Sequence, residues 1–283
     1  MKDNNKKITT WILGIIIASL FIIISLILIK IGRPQKTGRD VVIFGDSIMA
    51  YATDTTSVAN MVMRDTGLDV MDLSFGGTLM SCIYEVSTPA MQRNALSMYA
   101  ISKSFLMDDF SLQRSYRATQ PATDYFEDRI SELEMLDLKK TDAVIIEQCL
   151  NDFTGGNPVG MISSDLEYTY CGALRKTIEN IRAVNPDIRV IIVSPTKVWT
   201  RDGADELYTD YGGGTYEQFL YSQKKIAQEL GAEYLSLYDV YDVPMETEEG
   251  LMLGSTYTVD GTHPNYYGRR VIAERISEYL RNG

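Results

Sequence analysis

The sequence predicts an α/β fold built on a five-stranded parallel sheet, preceded by one N-terminal transmembrane helix. Three observations carry this expectation: short apolar runs alternate with helical stretches from residue 41 onward, residues suited to chemistry stand just past the ends of those runs, and Trp11 to Ile29 carries no charge. Strands alternating with helices give a parallel sheet covered on both faces, and such sheets meet ligands at the carboxyl ends of their strands.

The uncharged run comes close to the roughly 20 residues a helix needs to cross hydrocarbon. Lys2, Lys6 and Lys7 precede it, and Lys30, Arg33, Lys36 and Arg39 come after. A helix apolar all round and flanked in this way does not suit a water-soluble core. The rival reading, a cleaved signal peptide, is opposed by the length of the run and by Lys30-Ile-Gly-Arg-Pro-Gln-Lys, which offers no small-x-small cleavage site. The chain therefore divides into a short tail (1–10), a transmembrane signal anchor (11–31), a basic linker (32–40) and a globular domain (41–283). Basic residues at both ends of the span leave its orientation open. Since a lone N-terminal anchor most simply serves to export the domain attached to it, that domain is expected outside the cytoplasm, on a single-pass anchor in the cell membrane.

Within the domain, Val41-Val42-Ile43-Phe44 reads as the first strand, stopped by Gly45, with a helix from about Ser47 to Asp65. Asp69 to Leu73 fits a second strand. Residues 82–136 read as helical connection, with Thr88-Pro89 and Pro121 as helix starts. Asp142 to Glu147 is the third strand, Ser163 to Val184 a long helix ending before Asn185-Pro186, and Ile188 to Val193 the fourth strand. Residues 194–214, with Pro195, Trp199, Gly203 and Gly212-Gly213-Gly214, form a long loop of a length that suggests a functional surface. A helix from Thr215 to Leu230, a fifth strand from Glu233 to Tyr238 and a last helix from Pro264 to Arg281 complete the domain.

Charge and composition narrow the function. A formal net charge of -11 repels a nucleic-acid backbone, so nucleic acid is not an expected partner. Cys82, Cys149 and Cys171 lie far apart with no C-x-x-C spacing, so neither a zinc knuckle nor a disulfide framework is readable, and at most one pair could bridge. Asp108-Asp109 and the run from Glu246 to Glu249 lack the spacing of a calcium loop and read as solvated faces. No metal or other cofactor is expected.

Gly45-Asp46-Ser47 lies where the first strand yields to a helix, which puts the Ser47 hydroxyl at a carboxyl edge near backbone N–H groups that favour developing negative charge. Serine is also a common helix cap, so the tripeptide alone decides little. Asp260-Gly-Thr-His263 lets Asp260 accept from one imidazole nitrogen while the other faces a nucleophile. His263 is the only histidine, so any imidazole-dependent mechanism uses it. Asn151-Asp152 after the third strand and Gly76-Gly77 after the second could supply a side-chain amide and a close backbone N–H.

These blocks resemble, in order and spacing across residues 41 to 275, the SGNH or GDSL-like serine hydrolases. The matching positions are Ser47 in Val-Ile-Phe-Gly-Asp-Ser, Gly77 in Leu-Ser-Phe-Gly-Gly-Thr, Asn151 in Gln-Cys-Leu-Asn-Asp-Phe, and Asp260 with His263 in Asp-Gly-Thr-His-Pro-Asn. The resemblance implies a three-layer, flavodoxin-like fold. It also implies a triad of Ser47, His263 and Asp260, with Gly77 and Asn151 holding the oxyanion. One departure stands out: Cys149 occupies the place where the family has a glycine before x-Asn-Asp. A side chain there is expected to bear on pocket shape rather than on mechanism.

The expected activity is hydrolysis of a carboxylic ester, with an O-acyl group such as acetate on a cell-surface glycan as substrate. Lipid or lysophospholipid hydrolysis, acyl transfer to a sugar hydroxyl by the same triad, and glycan binding without catalysis are the alternatives. Loss of Ser47, Asp260 or His263 would mark the last of these, and all three are present. Tyr208, Tyr211 and Tyr216 beside Trp199 are candidates for a carbohydrate-stacking rim.

Overall fold

A computed structural model of the chain describes residues 11, 14–24, 36–84, 93–116, 123–198, 206–241 and 256–283. The chain separates into two units, Met1–Lys36 and Thr37–Gly283. In the first, residues 11 and 14–24 are helical, and the side chains of Ile15, Phe21 and Ile22 are exposed. Among the described residues no helix is long and apolar enough to cross a membrane. The rest of the expected 11–31 span lies outside the described residues, as do Thr88-Pro89, Pro121, Trp199 and Glu246 to Glu249.

In the second unit, five strands form one parallel sheet: β1 (Val41–Gly45), β2 (Val70–Asp72), β3 (Ala143–Glu147), β4 (Arg189–Val193) and β5 (Glu233–Leu235). Their spatial order is β2-β1-β3-β4-β5, the flavodoxin-like order. Every residue of β1 and β3 is buried, and their Val- and Ile-rich sequences suit strands covered on both faces. Val41 stands opposite both Val70 and Ala143, and Gly45 stands opposite Glu147.

The chain leaves β1 for β2 on one side, then resumes at β3 on the other and continues away. Right-handed crossovers running in opposite directions put their helices on opposite faces of the sheet. The helix Val58–Thr66 packs against Tyr266–Asn282, while Tyr170–Val184 packs against both Met98–Met107 and Tyr216–Glu229. The reversal between β1 and β3 opens a crevice at their carboxyl ends. Ser47 and Asn151 stand just past those two ends.

Four elements differ from the sequence-based expectation. The helix expected from Ser47 to Asp65 is broken into Ser47–Ala50 and Val58–Thr66. Asp54 accepts from the Thr56 N–H and hydroxyl, and Ser57 caps the second piece through Asn60 N–H, so local side-chain bonds win over helix continuation. The helix expected from Ser163 begins at Tyr170, where Thr169 accepts from Gly172 N–H as its cap. β5 stops at Leu235, because the Leu237 N–H, which points to the end of β4, is taken by the Ser194 hydroxyl instead of a ladder carbonyl. Tyr216 belongs to the core and not to a rim: it is fully buried, stacks on Phe153 and donates its hydroxyl to Thr196 O. Tyr208 and Tyr211 are exposed.

Candidate active site

The turn that carries Ser47 is built from the sheet outward. A Cβ on Gly45 would stand 2.6 Å from Met49 Cγ, so only glycine lets the chain turn back over the strand end. Asp46 N–H donates to Glu147 O across the sheet, and the Asp46 carboxylate accepts from Ile48 N–H at 2.9 Å, capping the one-turn helix that carries Ser47. Asp46 is fully buried, and this desolvation pushes its carboxyl up to about 7 against the opposing bond from Ile48 and the attraction of His263.

The histidine arrives on a loop closed by its own backbone. Thr258 and Pro264 pair as an antiparallel bridge, Val259 N–H donates to His263 O at 2.9 Å, and Gly261 takes a left-handed φ of 88° at the bend. Asn265 then caps the last helix through Tyr267 and Gly268 N–H. One Asp260 oxygen accepts from the Thr262 and His263 N–H groups, and the other lies 2.7 Å from His263 Nδ1. His263 Nε2 lies 3.0 Å from Ser47 Oγ. Because a carboxylate only accepts, Nδ1 carries the proton and Nε2 is left to accept from the Ser47 hydroxyl. Desolvation works against the Asp260 charge, but bonds from His263 and Thr262 outweigh it and hold the carboxyl below its ordinary value. The Tyr51 ring stacks on the imidazole, 5.3 Å between centroids.

Gly77 has φ of 73°, a conformation that favours glycine, and its N–H and that of Ser47 meet no acceptor among the described residues. Two neighbouring side chains fix this loop, one of them against the turn that carries Ser47. Asn151 donates one amide hydrogen to Thr78 O at 2.9 Å and the other to Asp46 at 3.2 Å. Asp152, fully buried, accepts from Met80 N–H, Ser81 N–H and the Ser81 hydroxyl. All five residues singled out in the sequence thus converge on one edge, but the Asn151 amide is spent on protein acceptors.

A cavity of about 530 Å³ opens over Ser47 and His263, with Tyr51, Gly76, Tyr125 and Phe126 in its wall. Cys149 is not among its lining residues; it is buried at the start of the short helix Leu150–Thr154, and desolvation raises its thiol well above the ordinary range. Its φ of −165° is extended backbone, so this position does not demand glycine here. All three cysteines are free. Among the described residues no group of His, Cys, Asp and Glu could hold a metal ion. Tyr51 and Tyr125 escaped the sequence reading, since nothing in one sequence sets them apart among 18 tyrosines.

Residues 106–271, more than half of the chain, match the GDSL-like lipase/acylhydrolase family model. The chain belongs to that family. The matched segment contains Asn151, Asp260 and His263, while Ser47 and Gly77 precede it. This family member shares its fold with a Lactobacillus plantarum protein at 17% identity and a TM-score of 0.61, over 88% of this chain and 99% of the other. It likewise resembles a possible lipase from Chitinophaga pinensis, at 15% identity and TM-score 0.55, over 86% and 97% of the two chains. A family two carbohydrate esterase from Clostridium thermocellum, solved with cellohexaose, aligns at 14% identity and TM-score 0.50, over 89% of this chain and 66% of that one. A search of curated proteins finds no match. Membership of that family makes this chain a hydrolase acting on ester bonds.

Proposed function

We propose that this protein is a membrane-anchored serine esterase that removes O-acyl groups, chiefly acetyl, from a cell-surface glycan, with Ser47, His263 and Asp260 as its triad. The observation that carries the reading is the unbroken line from Asp260 through the imidazole to Ser47 Oγ, at 2.7 and 3.0 Å. Ser47 Oγ attacks the ester carbonyl carbon as its proton passes to His263 Nε2. Asp260 holds the imidazole and stabilises the cation so formed. The oxyanion is received by the Ser47 and Gly77 N–H groups. When the intermediate collapses, His263 returns the proton to the leaving alcohol oxygen. Water then attacks the acyl-enzyme with His263 again as base, releasing the carboxylic acid and restoring the Ser47 hydroxyl. Asn151, rather than meeting the oxyanion, ties Asp46 to the Gly77 loop.

The uncharged run from Trp11 to Ile29 supports the anchor, and the anchor supports a substrate outside the cytoplasm. The likeness to a carbohydrate esterase fold is compatible with a glycan as the alcohol half. The test is an assay of p-nitrophenyl acetate and p-nitrophenyl palmitate against wild type and Ser47→Ala. Hydrolysis of the acetate that falls by at least ~10⁴-fold in the variant is the expected result. Full activity in Ser47→Ala would end the assignment, and preference for palmitate would move the substrate to lipids.

A further inference from the structure

The oxyanion site has two backbone donors and a third expected donor, Asn151, whose amide hydrogens are both engaged. The cavity wall holds another candidate. Tyr125 reaches in from just ahead of the helix Phe126–Met135, and its hydroxyl oxygen accepts from Gly76 N–H at 2.9 Å. That bond fixes the oxygen and uses one of its lone pairs, while the hydroxyl proton meets no acceptor among the described residues. Gly76 has no side chain, and the point where its Cβ would stand lies 3.3 Å from Tyr125 Oη and 3.7 Å from Ser47 Cβ. Ser47, Gly76 and Tyr125 line one cavity, and the missing side chain at Gly76 leaves its wall open between the other two.

From this geometry we infer that Tyr125 is a further catalytic residue, donating its phenol O–H to the carbonyl oxygen of the ester as charge develops there. The inference rests on the esterase reading above. The donor is ready-made: Gly76 N–H polarises the phenol oxygen, so the hydrogen bond passed on to the substrate is strengthened by the one received. The ring is held by edge contact with Phe126 and by the Arg129 guanidinium 4.8 Å from its centroid. Arg129 is itself pinned by Asp72 at 2.8 Å and by Ser74 O. Desolvation lifts the Tyr125 phenol above its ordinary range, so the proton to be donated is present at neutral pH.

The experiment compares full-length wild type and Tyr125→Phe, with Ser47→Ala as control, on p-nitrophenyl acetate and ethyl acetate. Phenylalanine keeps the ring contacts and removes only the hydroxyl. Loss of one oxyanion donor predicts a fall in kcat of ~10²-fold that is equal for the two esters, with KM little changed. Replacing Tyr125 by a fluorinated, more acidic tyrosine then separates chemistry from mere support of the loop. Activity should gain a descending limb at lower pH than wild type, as the phenol loses the proton it donates. Retention of kcat within twofold in Tyr125→Phe overturns the inference, as does a loss confined to ethyl acetate, which would place the contact on the leaving oxygen. An unmoved pH profile in the fluorinated protein also overturns it. In each case Ser47→Ala reports independently whether the esterase reading stands.

Discussion

The two halves of the site are held in different ways. Ser47 and Asn151 stand just past the ends of the buried strands β1 and β3, and the loop of Gly77 follows β2; Asp46 and Asp152, both wholly buried, tie them together. Asp260 and His263 stand on a surface loop, their side chains 50% and 30% exposed, held chiefly by bonds within residues 256–268. The sheet half is fixed by the hydrophobic core, which cannot shift without cost to the whole domain. The loop half is fixed by a few hydrogen bonds near water, each worth about 1 kcal/mol net. The reacting geometry is therefore only as secure as the loop, while global stability answers to the sheet.

Substitutions can break or sharpen that contrast. The largest effect is expected from Asp260→Asn. The new side-chain oxygen keeps the backbone bonds from Thr262 and His263, but its amide faces Nδ1 and forces the proton onto Nε2, where it cannot accept from Ser47. Activity on p-nitrophenyl acetate should fall ~10⁴-fold with an unchanged melting temperature. Asp152→Ala probes the sheet half: Met80 and Ser81 N–H groups lose their buried acceptor, and urea unfolding should show a loss of about 3 kcal/mol. Activity per folded molecule should fall too, since the Gly77 loop loses its tie. Asn265→Ala probes the loop half, removing a helix cap worth about 1 kcal/mol. Its fall in kcat should exceed what that small loss of stability explains; an activity loss no larger than the change in folded fraction would show that the loop is held by something else.

Legibility in the sequence divides along the same line. The strands read correctly because β1, β3 and β4 are apolar runs ended by polar residues or glycine, and burial on both faces leaves little else for such runs to be. Ser47, Gly77, Asn151, Asp260 and His263 were legible as positions because each stands just past a strand or opens a loop. The break in the first helix was not, since it depends on Asp54 and Ser57 bonding to nearby backbone N–H groups, a competition that periodicity does not display. Nor was the engagement of Asn151, because its acceptors, Asp46 and Thr78, are distant in sequence and meet it only across the sheet. Tyr125 was invisible for the same reason: its partner Gly76 lies 49 residues away.

Asp260 and His263 come from one turn, and the carboxylate that orients the ring also receives that ring's own backbone N–H. Carboxylate and imidazole are thus aligned chiefly by bonds within one turn, with the Tyr51 ring as the main outside support. The fold is left to set one separation, across 216 positions of chain, between that turn and a hydroxyl. Surface loops between the two can change in length so long as this gap and the positions of Gly77, Tyr125 and Asn151 are preserved, which lets such a scaffold alter its exterior while its chemistry stays in tune.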